Sequence, residues 1–132
     1  MIKTRYRDYA VDAFRFYGIM HKPKNIQLAV YRLKEHLLTH RINLNKAQFD
    51  ACMDDLIAVI QMVDQFKKKH NGEDLLSVLS IYTDQDPTLR GAISAAVVRV
   101  SIQRHISTAT VDRYLKICRD TFAEIRGLRV SA

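Results

Sequence analysis

Helix breakers are scarce in this 132-residue sequence, which has four glycines and two prolines. Glycine interrupts regular structure through backbone freedom, and proline through its missing N–H. Few breakers predict few, long elements. They fall at Gly18 and Pro23, at Gly72, at Pro87 and Gly91, and at Gly127, and these places are read as element ends. No Gly/Ser linker, internal repeat or low-complexity tract divides the chain. Cysteine is rarer still. Cys52 and Cys118 lie 66 positions apart, a spacing that fits no zinc or redox motif. Each sits among apolar residues at helical spacing, so both are expected as buried, reduced thiols. No run of about 18 apolar residues occurs, which excludes a membrane-spanning helix. The opening Met1-Ile2-Lys3-Thr4-Arg5-Tyr6-Arg7-Asp8 turns charged at once and lacks the apolar core of a secretory signal. The cytoplasm is therefore the expected compartment.

Catalytic signatures are also missing. There is no phosphate loop, nucleophile elbow or dinucleotide fingerprint. His36 and His40 share a helix face, but a metal needs further ligands and Glu35 lies off that face. Their order is not that of the metalloprotease helix. Asp54-Asp55 and the pair Asp84/Asp86 are better explained by helix-face solvation and turn capping. A protein that is not an enzyme, with no cofactor and no metal, is expected.

What the sequence does have is helical periodicity. Hydrophobic residues make up 48% of it, spaced by three and four rather than alternating. The first helix is expected from about Arg5 to Met20, with Tyr6, Tyr9, Phe14, Phe16 and Tyr17 as a core-facing aromatic stripe. The second runs from about Lys24 to His40, striped by Ile26, Ala29, Val30, Leu33, Leu37 and Leu38. Asn45 caps a third that continues to Lys67-Lys68-Lys69, where cations suit the negative end of the helix dipole, and Asn71-Gly72 ends it. A short fourth helix spans about Glu73 to Tyr82. The fifth is expected from about Leu89 to Arg104 and the sixth from about Thr108 to Arg126. The fold class is all-α, a bundle of about six helices. Residues 1–70 are expected as an N-terminal helical bundle for oligomerisation or partner docking, and residues 73–128 as a C-terminal module. The apolar surface of 1–70 is more than a small module hides alone, so a homodimer through it is expected.

The formal net charge is +7, and it is unevenly placed. Residues 1–25 carry six Lys/Arg against two Asp, residues 26–89 seven against nine acids, and residues 90–132 eight against three. The cationic excess thus lies at both ends, which suits a polyanionic partner.

The informative stretch is Val100 to Leu115. Two helices packed steeply across a short turn need a small residue in the first, met by Ser101, and an apolar residue pointing inward from the turn, met by Ile106. Ser107 supplies the cap of the second, and Val111, Tyr114 or Leu115, and Cys118 its inward face. Thr108, Ala109, Asp112, Arg113 and Lys116 are left outward, where the first turns of such a helix enter a major groove. Arg113 and Lys116 are candidates for guanine edges and phosphates, and Arg99, Arg104, His105 and Arg119 for positioning the backbone. Ser107-Thr108-Ala109-Thr110-Val111-Asp112-Arg113-Tyr114-Leu115 resembles the Ser-x-x-Thr-Val-x-Arg-x-Leu opening of recognition helices in recombinase-like and sigma-factor region-four-like helix-turn-helix domains. With Leu75 to Tyr82 before it, the plan is similar to small phage and prophage transcription regulators. The resemblance covers residues 73–128 and departs from the pattern twice, with His105 where glycine is usual and Ser101 where alanine is usual. It implies a transcriptional regulator that binds double-stranded DNA and does not involve a membrane. The alternative is a non-enzymatic structural or adaptor protein, such as a phage assembly component, that oligomerises through its bundle.

Overall fold

The computed structural model describes residues 2–85 and 89–128, with side chains described for 8–85 and 89–128. Six helices follow one another: α1 (Ile2–Ile19), α2 (Ile26–Thr39), α3 (Lys46–Lys67), α4 (Gly72–Asp84), α5 (Ala92–Arg104) and α6 (Thr108–Arg126). No strand occurs among the described residues, and the all-α bundle is as the periodicity predicts. Pro87 and Asp86 lie outside the described residues.

Capping side chains fix where the helices begin. The Asn25 side chain accepts the Leu28 N–H at 2.8 Å. Asn45 does the same for Gln48 at 2.8 Å, and the Gln48 side chain accepts the Asn45 N–H at 3.0 Å, a reciprocal capping box.

Of the expected aromatic stripe of α1, Phe14 and Tyr17 are buried with Ala10, Ala13 and Met20, Phe16 is half-buried and Tyr9 is exposed, while the Tyr6 side chain lies outside the described residues. The Phe14 ring stacks on Tyr82 of α4, with centroids 5.7 Å apart, and meets Phe122 of α6 edge-on at 5.4 Å. Leu56, Val59, Met62 and Phe66 of α3 complete this centre. One continuous cluster of buried side chains therefore joins residues from 1–70 with residues from 73–128. By contrast, α2 lies on α3 alone among the helices and buries only Ala29 and Leu33. Tyr31 of α2 and Ile42 just after it are exposed, and so are Ile26 and Leu38, which the periodicity placed in the stripe but no neighbouring helix covers. Arg32 ties α2 to the end of α1, donating to the Met20 and His21 carbonyls at 3.2 and 2.5 Å.

Gly18, one residue before the end of α1, and Gly72 also act through their size. α1 continues past Gly18, and a Cβ there would stand 2.1 Å from the Thr83 carbonyl oxygen. α1 and α4 thus cross backbone to backbone. α3 ends at Lys67, and Gly72 opens α4 rather than closing α3. A Cβ on Gly72 would lie 2.0 Å from the Phe66 carbonyl oxygen. In both cases tertiary proximity excludes a side chain, and local conformation does not.

Across α1, α3 and α6 runs a polar clamp. Arg126 pairs with Asp55 at 2.7 Å, with both side chains about one-fifth exposed. The Tyr9 hydroxyl donates to Asp55 at 2.9 Å and accepts from Arg126 at 3.1 Å. No helix among the described residues is long and apolar enough to cross a membrane.

Candidate nucleic-acid interface

α5 gives way to α6 in three residues. His105 takes φ 57° and ψ 42°, the left-handed conformation expected of glycine at this point. Its N–H reaches the Ser101 and Ile102 carbonyls, and the Ile106 N–H returns to the Ser101 carbonyl at 3.1 Å. The Ser101 hydroxyl donates to the Ile106 carbonyl at 2.5 Å. Serine at this small position therefore adds a bond across the turn that alanine lacks. Ile106 is half-buried against the core. Ser107 is extended and caps α6, its Oγ accepting the Thr110 N–H at 3.0 Å. Inward along α6, Val111, Leu115 and Cys118 are buried. Burial pushes the Cys118 thiol up to about 12, far from any reactive range.

The outward residues of α6 fall on two faces. Ala109, Arg113 and Lys116 are exposed and follow one another at spacings of four and three. Thr108, Asp112 and Arg119 instead line an open cleft of about 1270 Å³ shared with α1 and α5. Val11, Val97 and Leu115 supply apolar lining there, and Asp8, Asp12 and Asp112 supply carboxylates. The residues grouped by sequence are thus divided between a projecting ridge and a concave wall.

Their charges are divided as well. Arg99 is exposed and makes no hydrogen bond or ion pair among the described residues. Arg113 is exposed and donates to the Thr110 hydroxyl at 3.3 Å. That hydroxyl also accepts from Ser107 at 2.9 Å, so cap and arginine share one small network. Lys116 pairs with Asp120 at 2.6 Å on the exposed surface, an i,i+4 contact of low strength. Arg104 is half-buried and holds Asp74 at 2.7 Å and Glu73 at 3.4 Å. Arg119 donates to the Tyr82 hydroxyl at 2.8 Å. Arg104 and Arg119 therefore brace α5 and α6 against α4. Residues 30 and more positions apart form these braces, and no local motif signals them.

α5 is apolar on most of its sides. Ala96 and Val100 face the core, while Val98 is 51% and Ile102 69% exposed with Ala95 beside them. On α2, the His36 and His40 rings lie 4.2 Å apart beside a small pocket that His21 and Glu35 also line. Glu35 accepts from Tyr31 at 3.0 Å. No group of three or more His, Cys, Asp or Glu among the described residues is placed to hold a metal. Comparison with known proteins finds no family model, no curated protein and no solved structure that matches the chain.

Proposed function

We propose that the chain is a DNA-binding transcriptional regulator of phage or prophage type, acting in the cytoplasm through a C-terminal helix-turn-helix formed by α5 and α6. The observation that carries this is the three-residue turn with left-handed His105, after which α6 presents exposed Thr108, Ala109, Arg113 and Lys116. Small side chains in the first turn permit close approach to base edges, and a planar guanidinium four residues later suits bidentate contact with guanine. In this reading Arg113 reads, Lys116 and Arg99 position on phosphates, and Arg104 and Arg119 hold the two helices at their angle. Exposed Tyr31, Leu38 and Ile42 support a homodimer made through residues 1–70. The test is a titration on mixed duplex DNA at two salt concentrations, followed by a selected sequence. Arg113→Ala is expected to cost about 1–3 kcal/mol and relax preference at one base pair. Unchanged affinity with an intact fold removes the reading.

A second reading is favoured by the exposed apolar side of α5. Val97 and Val98 line the cleft, and Ala95 and Ile102 are exposed on the same helix, a surface suited to an adaptor that docks an amphipathic helix. Indifference to DNA together with a Val98→Asp variant that loses a protein partner favours it.

A further inference from the structure

Lys67-Lys68-Lys69-His70 closes α3 and stays exposed. Taken locally, it is a solvated last turn that suits the helix dipole. Its surroundings give it a second context. The chain reverses at once, and the Gly72 N–H bonds to the Lys69 carbonyl at 3.0 Å. With no Cβ, Gly72 fits against the Phe66 carbonyl, so α4 starts beside the lysines. Two and one residues on, Asp74 and Glu73 hold Arg104 at 2.7 and 3.4 Å. Arg104 is the last residue of α5 and directly precedes His105. The α3–α4 corner and the α5–α6 turn are thus fastened together at one end of the molecule. Lys69 is five residues from Asp74, at most about 18 Å even for extended chain, and here much of it is turn and helix.

The charges at this end are unequally occupied. Asp74 and Glu73 answer Arg104 rather than the lysines. Lys67 and Lys68 make no ion pair among the described residues. Lys69 places its ammonium 5.9 Å from the Phe66 ring centroid and pairs with no carboxylate there. Of the cations the sequence singled out in α5 and α6, Arg104, Lys116 and Arg119 are already engaged. Uncommitted lysines therefore sit beside the turn from which α6 projects.

We propose that Lys67, Lys68 and Lys69 form a phosphate-binding edge for double-stranded DNA, flanking the groove that α6 enters; this rests on the DNA-binding reading above. A major groove about 12 Å wide is bordered by phosphate strands on both sides of an inserted helix. Compact ammonium charges on flexible stems hold phosphate without discriminating sequence. The edge supplies affinity and register, and Arg113 supplies preference.

The experiment is a fluorescence-anisotropy titration of the full chain against two unrelated duplexes and one selected duplex across a salt series. The wild type is compared with Lys67→Gln/Lys68→Gln/Lys69→Gln, with the corresponding triple Arg variant, and with Arg113→Ala. The Gln variant is expected to lose roughly 10–100-fold in affinity on every duplex and to lower the slope of log affinity against log salt by about 2–3. The Arg variant restores both, and the thermal unfolding curve of each stays as in the wild type. Arg113→Ala changes preference among duplexes and lowers the slope little. A Gln variant with the wild-type slope overturns the edge and leaves reading by α6 intact. A loss that differs between duplexes overturns it as a phosphate contact. Wild-type protein that binds no duplex overturns both proposals.

Discussion

His105 sets a measurable strain on the turn between α5 and α6. A side chain in the left-handed region costs about 1 kcal/mol, and a β-branched one costs more. His105→Gly is therefore expected to stabilise the fold by up to about 1 kcal/mol, less what glycine adds to the freedom of the unfolded chain. His105→Val is expected to destabilise it by about 1–2 kcal/mol. Urea denaturation of the two variants checks the pair, and the opposite signs are the diagnostic. Ser101 offsets part of the strain through its bond to the Ile106 carbonyl. A histidine accepted here in place of glycine is understandable once that bond is counted.

At the scale of the element, α1 and α4 meet where Gly18 faces Thr83. Gly18→Ala would raise helix propensity in α1 if the helix stood alone. In the fold it forces two backbones apart, because the obstructing atom is a carbonyl oxygen and no side chain can swing away. A net loss of about 1–3 kcal/mol or more is expected, read as a lowered midpoint in thermal unfolding followed by circular dichroism. Here lies the division between what was legible and what was not. Helix starts were written in Asn45 and Ser107, whose side chains bond within three residues. The inward face of α6 was legible at Val111 and Cys118, which keep a helical period, while the choice between Tyr114 and Leu115 was open until packing buried Leu115 and left Tyr114 half-buried. The second purpose of Gly18 and Gly72 was not, since a residue without a side chain looks alike whether it ends a helix or admits a neighbour. Nor was the engagement of Arg104 and Arg119, whose partners Asp74 and Tyr82 lie on another helix. Charge can be counted in a sequence, but its neutralisation is a tertiary property.

At the scale of the whole molecule, a pH response is expected from α2. Partial burial, and then the neighbouring charge of His40, lower the His36 imidazole below its ordinary value of about 6.5. The unfolded chain then binds more protons than the native one as the medium turns acid. The His36 contribution is complete above the ordinary value and is lost as pH falls through the lowered one. The melting temperature is expected to fall between pH 7.5 and pH 5, and His36→Gln is expected to flatten that part of the fall. Equal slopes for both proteins in a differential scanning series would show the response to come from elsewhere.

The Phe14 ring meets Tyr82 and Phe122, which follow it by 68 and 108 positions. A ribosome adding 5–20 residues each second needs roughly 5–20 s to deliver Phe122 after Phe14. Through that interval α3 and α4 can already meet α1, and the cover that α6 supplies is missing. Chains that stop before Phe122 are expected to leave part of this core exposed and to aggregate more readily than the whole chain. Completion of the core therefore waits on synthesis of α6, the same helix proposed to read DNA.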